Sequence, residues 1–182
     1  MRIAVTRERT DGERRVAISP EATRVLVTAG HDLVIESGAG SAAGMRDADY
    51  ESAGATIAPD RVTTVDSAGL LISVHGPTSP DDLAEVTSDH VVIALLDPVW
   101  NPAAAKALAA TGATAYSLDL VPRSTRAQSM DVLSSTATVA GTQAVLTAAY
   151  RLPKLMPLMI TAAGTIPPAR LVVLGAGGAG LQ

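Results

Sequence analysis

LVVLGAGGAGLQ, Leu171 to Gln182, decides how the rest of the chain is read. Four apolar residues, Leu171 to Leu174, read as a buried strand, and G-A-G-G-A-G follows at once. In the spacing G-x-G-x-x-G, Gly175 allows the tight turn out of the strand and Gly177 lets the backbone approach a diphosphate. Gly180 lets the following helix pack close to the strand, and the helix N-terminus offers unpaired N–H groups to the anion. Gly175, Gly177, Gly178 and Gly180 are therefore the candidate diphosphate contacts. In a chain with 15 glycines such a triplet also arises by chance as a mere turn, and the strand before it is what favours the fingerprint. The acidic residue expected about 20 positions later to hold the adenine ribose falls past Gln182, so the motif does not choose between NAD and NADP. A fingerprint that opens a domain and then stops predicts that these residues are a piece of a longer nucleotide-using protein.

Composition narrows the classes. At 182 residues, 47% hydrophobic and 18% charged, the chain has enough apolar content for one sizeable core and the start of another. A formal charge of −4 and 2% aromatic residues argue against a nucleic-acid partner, which wants a basic surface and stacking platforms. With no cysteine there is no disulfide framework and no thiolate site, which suits a reducing compartment. The N-terminus, a short apolar run followed by charges, is the reverse of a signal peptide, and a cytoplasmic location is expected. The most apolar stretch, from Leu152 to Leu181, is interrupted by Lys154, Arg170 and Pro153, Pro157, Pro167 and Pro168, so no direct membrane span is expected.

Upstream, short apolar runs alternate with helical patterns, the signature of an α/β layered sheet. Five strands are expected: Ile3 to Thr6, Leu33 to Glu36, Gly69 to Val74, Val91 to Leu96 and Thr114 to Leu118. Helices are expected over Pro20 to Ala29, with Ala22, Val25, Leu26 and Ala29 on the apolar face, and over Asp47 to Ala53 and Pro102 to Ala110. Ser19 suits the N-cap of the first, Pro20 its first position and Gly30 its stop. From Ala127 to Tyr150 one helical pattern runs without proline for roughly 24 residues, about 36 Å if wholly helical. The expected architecture is thus α/β: a flavodoxin-like layered sheet over residues 1–126, a linking helix with a proline-rich connector over 127–168, and over 169–182 the first strand of a truncated Rossmann domain.

Individual polar residues read mostly as structure. His31, His75 and His90 have no partner at metal-ligand spacing, so no metal site is expected. Arg14 and Arg15 read as a solvated charge pair on a surface loop, and Trp100 as a packing anchor. Asp81 and Asp82 follow Ser79 and Pro80, and S-P-D-D reads as an N-cap with an acidic first turn.

Longer stretches carry a resemblance. VPRSTRAQSMDVLSSTATVAG (Val121 to Gly141), LPKLMPLMITAAGTIPPARLVVLGAGGAGLQ, GERRVAISPE, HDLVIESGAGSAAGMRDADYESAGA and LLDPVWNP resemble the NAD(H)-binding component, the alpha subunit, of proton-translocating NAD(P) transhydrogenase. The resemblance runs through the whole chain in order and places it as about the first half of that component. It implies hydride transfer between NADH and NADP+, with NADP(H) on a partner subunit and proton movement through membrane subunits. It also implies a homodimer held at the inner face of the plasma membrane by its partners, and little activity for these residues alone. In that family an Arg, Gln, Asp loop lies over the nicotinamide; the matching positions are Arg123, Gln128 and Asp131, with Ser134 one helical turn on. The resemblance makes these cofactor contacts, with Gln128 and Asp131 as the catalytic pair. Spacing alone favours an ordinary surface pair of Arg123 and Asp131, with Ser134 capping or packing a helix. The resemblance reverses that preference.

Alanine dehydrogenase shares the architecture and departs at the chemistry. Arg15 falls where that enzyme has a substrate-carboxylate arginine, but Ser73, in LLISVHGP, stands where it needs a lysine. Its catalytic histidine would fall near Leu96 or Asp97 and is missing, so amino-acid oxidation is not expected. Ser73, His75 and Gly76 also depart from the lysine-containing strand end of the transhydrogenases. A non-catalytic remnant and an alanine dehydrogenase-like fragment are the alternatives.

Overall fold

A parallel strand buried on both faces must be apolar on both, and the short runs of this sequence meet that demand. The computed structural model describes residues 1–66 and 68–182. Its first unit, Met1–Leu120, runs β1 (Arg2–Val5), α1 (Pro20–Thr28), β2 (Asp32–Glu36), α2 (Asp47–Ser52), β3 (Thr56–Ala58), α3 (Arg61–Val65), β4 (Leu70–His75), α4 (Pro80–Ala84), β5 (Val91–Leu95), α5 (Pro102–Ala110) and β6 (Thr114–Ser117). The strands pair in parallel in the order β3-β2-β1-β4-β5-β6. Side chains of alternate parity feed two cores, one on each face. Ile3, Val5, Leu33, Ile35 and Tyr50 build one, and Ala4, Val65, Leu71, Val92 and Leu108 the other. The fully buried Tyr50 satisfies its hydroxyl by donating to the Ile18 carbonyl at 2.8 Å.

This is the layered α/β sheet expected, with one strand more. The unforeseen β3 is a three-residue edge strand lying beside β2. Without it the order is the flavodoxin arrangement; with it the order is that of the doubly wound dinucleotide folds. Its companion α3 was also unforeseen. It is five residues long and starts from Asp60, whose carboxylate accepts the Thr63 N–H at 2.8 Å.

Capping on α1 is as expected, with Ser19 accepting the Ala22 N–H at 3.3 Å and Gly30 left-handed at φ 86°. The buried face is not. Val25 is 68% exposed and Ala22 and Ala29 are exposed too, whereas Thr23 is buried and Leu26 and Val27 pack on the core. The stripe is shifted by one position because the inward residue of the first turn is a threonine, and hydrophobicity alone does not mark it.

The second unit, Val121–Gln182, is built on α6 (Val132–Arg151). The helix starts later than Ala127 because Gln128–Met130 form a 3-10 turn and Asp131 caps the α-helix behind it. A hairpin, β7 (Met159–Thr161) with β8 (Gly164–Ile166), then interrupts the proline-rich connector. Leu171 to Leu174, read as a strand, is irregular. A strand exists through its ladder, this segment has no strand neighbour among the described residues, and its side chains stand 53–96% exposed. Among the described residues no helix is long and apolar enough to cross a membrane.

Candidate functional site

The glycine segment of the second unit is a single closed turn. The Leu181 N–H donates to the Gly177 carbonyl at 3.1 Å, closing one helical turn at the position where a helix is expected to start. Gly175 is the residue that needs glycine's conformational freedom, at φ 111°. Gly180 serves close approach: a Cβ on it would overlap the Gly175 carbonyl oxygen and lie 3.3 Å from Val173 Cγ1. The third glycine thus lets the turn lie close both to Gly175 and to Val173 of the preceding apolar run. Gly177 has open space where a Cβ would go, with no atom within 4 Å.

A recess of about 400 Å³ brings Arg123 and Ser134 together with Gly175, Gly177, Gly178 and Gly180. Asp131 stands behind this wall. As the N-cap of α6, its carboxylate accepts the Ser134 N–H at 2.9 Å and the Ser134 hydroxyl at 2.6 Å. Those two hydrogen bonds, with a smaller contribution from the Arg123 charge, hold its pKa below the ordinary aspartate value. Arg123 makes no ion pair among the described residues. Gln128 does not line the recess; its side chain is exposed and its N–H donates to the Ser124 carbonyl at 3.0 Å. The surface pair of Arg123 and Asp131 that spacing alone suggests is not formed, and the cap of the helix is Asp131, where Ser134 is the residue expected to cap or pack.

The first unit gathers charge at the carboxyl ends of β1 and β4, where strand order reverses and open α/β sheets place ligands. A recess of about 200 Å³ lies there between Arg7, Arg9, Arg61, His75 and Asp82. Most of these charges are already committed. Asp82 accepts Arg9 and Arg61, each at 3.1 Å, and Arg61 also holds Glu85 at 2.8 Å. Asp82 is therefore more than the acidic first-turn residue expected, although its N–H does receive the Ser79 cap at 3.1 Å. Glu8 takes the Val74 and His75 N–H groups at 2.6 and 3.1 Å, where β4 breaks register with β5. Glu36, buried at the end of β2, takes the Arg7 N–H at 2.8 Å. An acid closing an apolar run, as in LVIE, is the sequence signal that could have marked Glu36; Arg61 carried none.

Arg14 and Arg15 are exposed on a loop, as expected, but neither is free. Arg15 grips Glu13 at 2.6 Å, Arg14 reaches the Ala42 carbonyl at 3.3 Å, and His75 Nε2 lies 2.8 Å from Glu13. Chiefly through the Arg15 hydrogen bond, the Glu13 pKa falls from 4.5 to about 2. A depressed carboxylate stabilises the fold above its unfolded pKa and loses that contribution as pH falls through the folded one. Wild-type chain should therefore lose stability between pH 4.5 and about 2 along a limb that is shallower in Glu13→Gln. Urea melts across that range test it, and superimposable limbs would remove the role. Trp100 is not a packing anchor. It stands 85% exposed on a turn whose Asp97 is left-handed at φ 48° and whose Asp97 carbonyl accepts the Trp100 and Asn101 N–H groups. Those bonds hold the turn outward, away from either core.

Comparison with known proteins bears on both units. The alanine dehydrogenase/PNT N-terminal domain matches residues 4–140, and the corresponding C-terminal domain matches residues 144–182. An NAD(P) transhydrogenase alpha-subunit protein of Rhodospirillum rubrum is 42% identical over 186 residues, covering 100% of this chain and 48% of its own. Alanine dehydrogenase of Halomonas elongata is 32% identical over 182 residues, covering 97% of this chain and 48% of its own. A crystal structure of transhydrogenase from Sinorhizobium meliloti superposes with a TM-score of 0.94 at 42% identity, over 100% of this chain and 54% of that one. The chain spans about half the length of the relatives it matches. With three quarters of its residues inside the N-terminal domain match and the sheet superposing on a solved transhydrogenase, the chain belongs to the alanine dehydrogenase/PNT family.

Proposed function

We propose that these residues belong to the NAD(H)-binding component of a proton-translocating transhydrogenase. The observation that carries the reading is the recess in which Arg123 and Ser134 meet Gly175, Gly177, Gly178 and Gly180. The donor set suits a dinucleotide: glycine N–H groups beside open space for a diphosphate, and a guanidinium that forms no ion pair among the described residues. The nicotinamide supplies the hydride chemistry when bound. The chain's own residues bind and orient. Because Ser134 spends its hydroxyl proton on Asp131, its oxygen is left as an acceptor beside the recess, suited to a carboxamide N–H or a ribose hydroxyl. Gln128 would reach the site through a shift of the 3-10 turn that carries it.

The same proposal assigns NADP(H) to a partner subunit and proton translocation to membrane subunits. It also takes the component to be a homodimer, peripheral at the cytoplasmic face. Residues 1–182 alone are proposed to bind NADH weakly, since they correspond to about half the length of the relatives they match. Arg15 argues against alanine dehydrogenase chemistry, since its guanidinium already holds Glu13 with two hydrogen bonds at 2.9 and 2.6 Å.

The test uses a chimera joining these residues to the second half of the Rhodospirillum rubrum relative, with the partner subunits added. Gln128→Ala and Asp131→Asn should slow single-turnover hydride transfer by about a hundredfold while changing NADH affinity little, because misorientation acts on the chemical step. Asn retains the helix cap, which separates capping from orientation. Unchanged rates in both variants would reduce Arg123, Asp131 and Ser134 to surface structure and leave a non-catalytic remnant as the better reading.

A further inference from the structure

We infer that Gly141, near the middle of α6, is a positioning residue for the glycine turn: its missing side chain lets the Ala179 carbonyl seat against the helix, and that contact sets where the N–H groups of the turn point. The functional consequence rests on the nucleotide reading of the recess; the steric argument does not. Gly141 is the one buried residue of α6. A Cβ there would overlap the Ala179 carbonyl oxygen and come within 3.0 Å of the Ala179 carbonyl carbon and of Gln182 Cβ. The chief obstacle is backbone, so no rotamer change relieves it and the turn itself must move.

The helix's own conformation does not call for glycine at this point. Gly141 is not left-handed, and glycine is the poorest helix former after proline. The neighbouring contact shows how local the demand is. A Cβ on Gly178 would sit 3.6 Å from Ala137 Cβ and 3.7 Å from the Ser134 carbonyl, ordinary packing distances. Ser134, Ala137 and Gly141 lie at i, i+3 and i+7 on one helix face. The turn therefore rests along that face, with Ser134 at the recess end and Gly141 fixing the other.

The experiment uses the 182-residue chain and amide NMR, with inorganic pyrophosphate as the probe. In Gly141→Ala the resonances of Gly175 to Leu181 should shift and the Leu181 amide, which closes the turn on Gly177, should exchange at least about tenfold faster. The far-UV helical signal should hold or rise, because alanine favours the helix itself. Unshifted resonances would overturn the inference, and so would loss of the helical signal, which would assign Gly141 to the helix alone. Pyrophosphate should perturb the Gly177 and Gly178 amides of the wild type and bind the variant about tenfold more weakly at unchanged melting temperature. Equal affinity in the two proteins would overturn the positioning role. A wild-type turn indifferent to pyrophosphate would remove the nucleotide reading while the displacement caused by Gly141→Ala still stood.

Discussion

Gly177→Val is expected to weaken NADH binding by about a hundredfold or more in the chimera, while the melting of the Met1–Leu120 unit stays in place. At Gly177 an added Cβ meets no atom within 4 Å beyond its chain neighbours, and the residue is not left-handed, so the backbone accepts a side chain there. A branched side chain at this lining position takes the space a diphosphate would use. Losing two charge-assisted N–H hydrogen bonds accounts for the size, at roughly 1.5 kcal/mol or more each. Gly175 makes the contrast: at φ 111° the same substitution would strain the backbone and confuse folding with binding. Equilibrium dialysis with NADH beside a circular-dichroism melt separates the effects. Wild-type affinity in the variant would mean that Gly175 to Gly180 is only a turn.

Arg61→Ala should cost the first unit about 3 kcal/mol, a fall of roughly 10 °C in its midpoint. The Arg61 side chain is 10% exposed and joins Asp82 and Glu85, themselves largely buried, so its removal strands Glu85 and leaves Asp82 to Arg9 alone. Arg9 pulls on the same Asp82 from a half-exposed position, and its own loss should matter little. Urea unfolding of Arg61→Ala, Arg61→Lys and Arg9→Ala ranks them. Equal small losses in Arg61→Ala and Arg9→Ala would show the network to be decoration on the sheet edge.

The alternation of apolar runs with capped helices made most of the sheet readable, since IAV, LVIE and VVIAL leave few alternatives to buried parallel strands. Ser19, Ser79 and Gly30 gave their caps and stops directly. The edge elements stayed hidden for a physical reason: β3 and α3 are short, and Pro59 and Asp60 between them read as loop. The site was half legible. The glycine spacing marked Gly175, Gly177 and Gly180, but their division of labour depends on backbone angles and on α6, which no local pattern encodes. Neither Gly141 in ATVAGTQ nor Arg61 in PDRVTT differs in sequence from an ordinary helix glycine or surface arginine. What makes them matter is a carbonyl 38 residues away in one case and acids more than 20 residues away in the other.

The exposed Trp100 settles how this molecule can be watched. It is the chain's sole tryptophan, and its indole stands in water in the folded state much as it would in an unfolded chain. Its emission should be nearly silent while both cores melt, so a fluorescence trace that reports no transition would say nothing about stability. The same solvent-facing lamp has a dark background against which capture shows: a blue-shifted spectrum would mean that another surface has closed over the turn after β5.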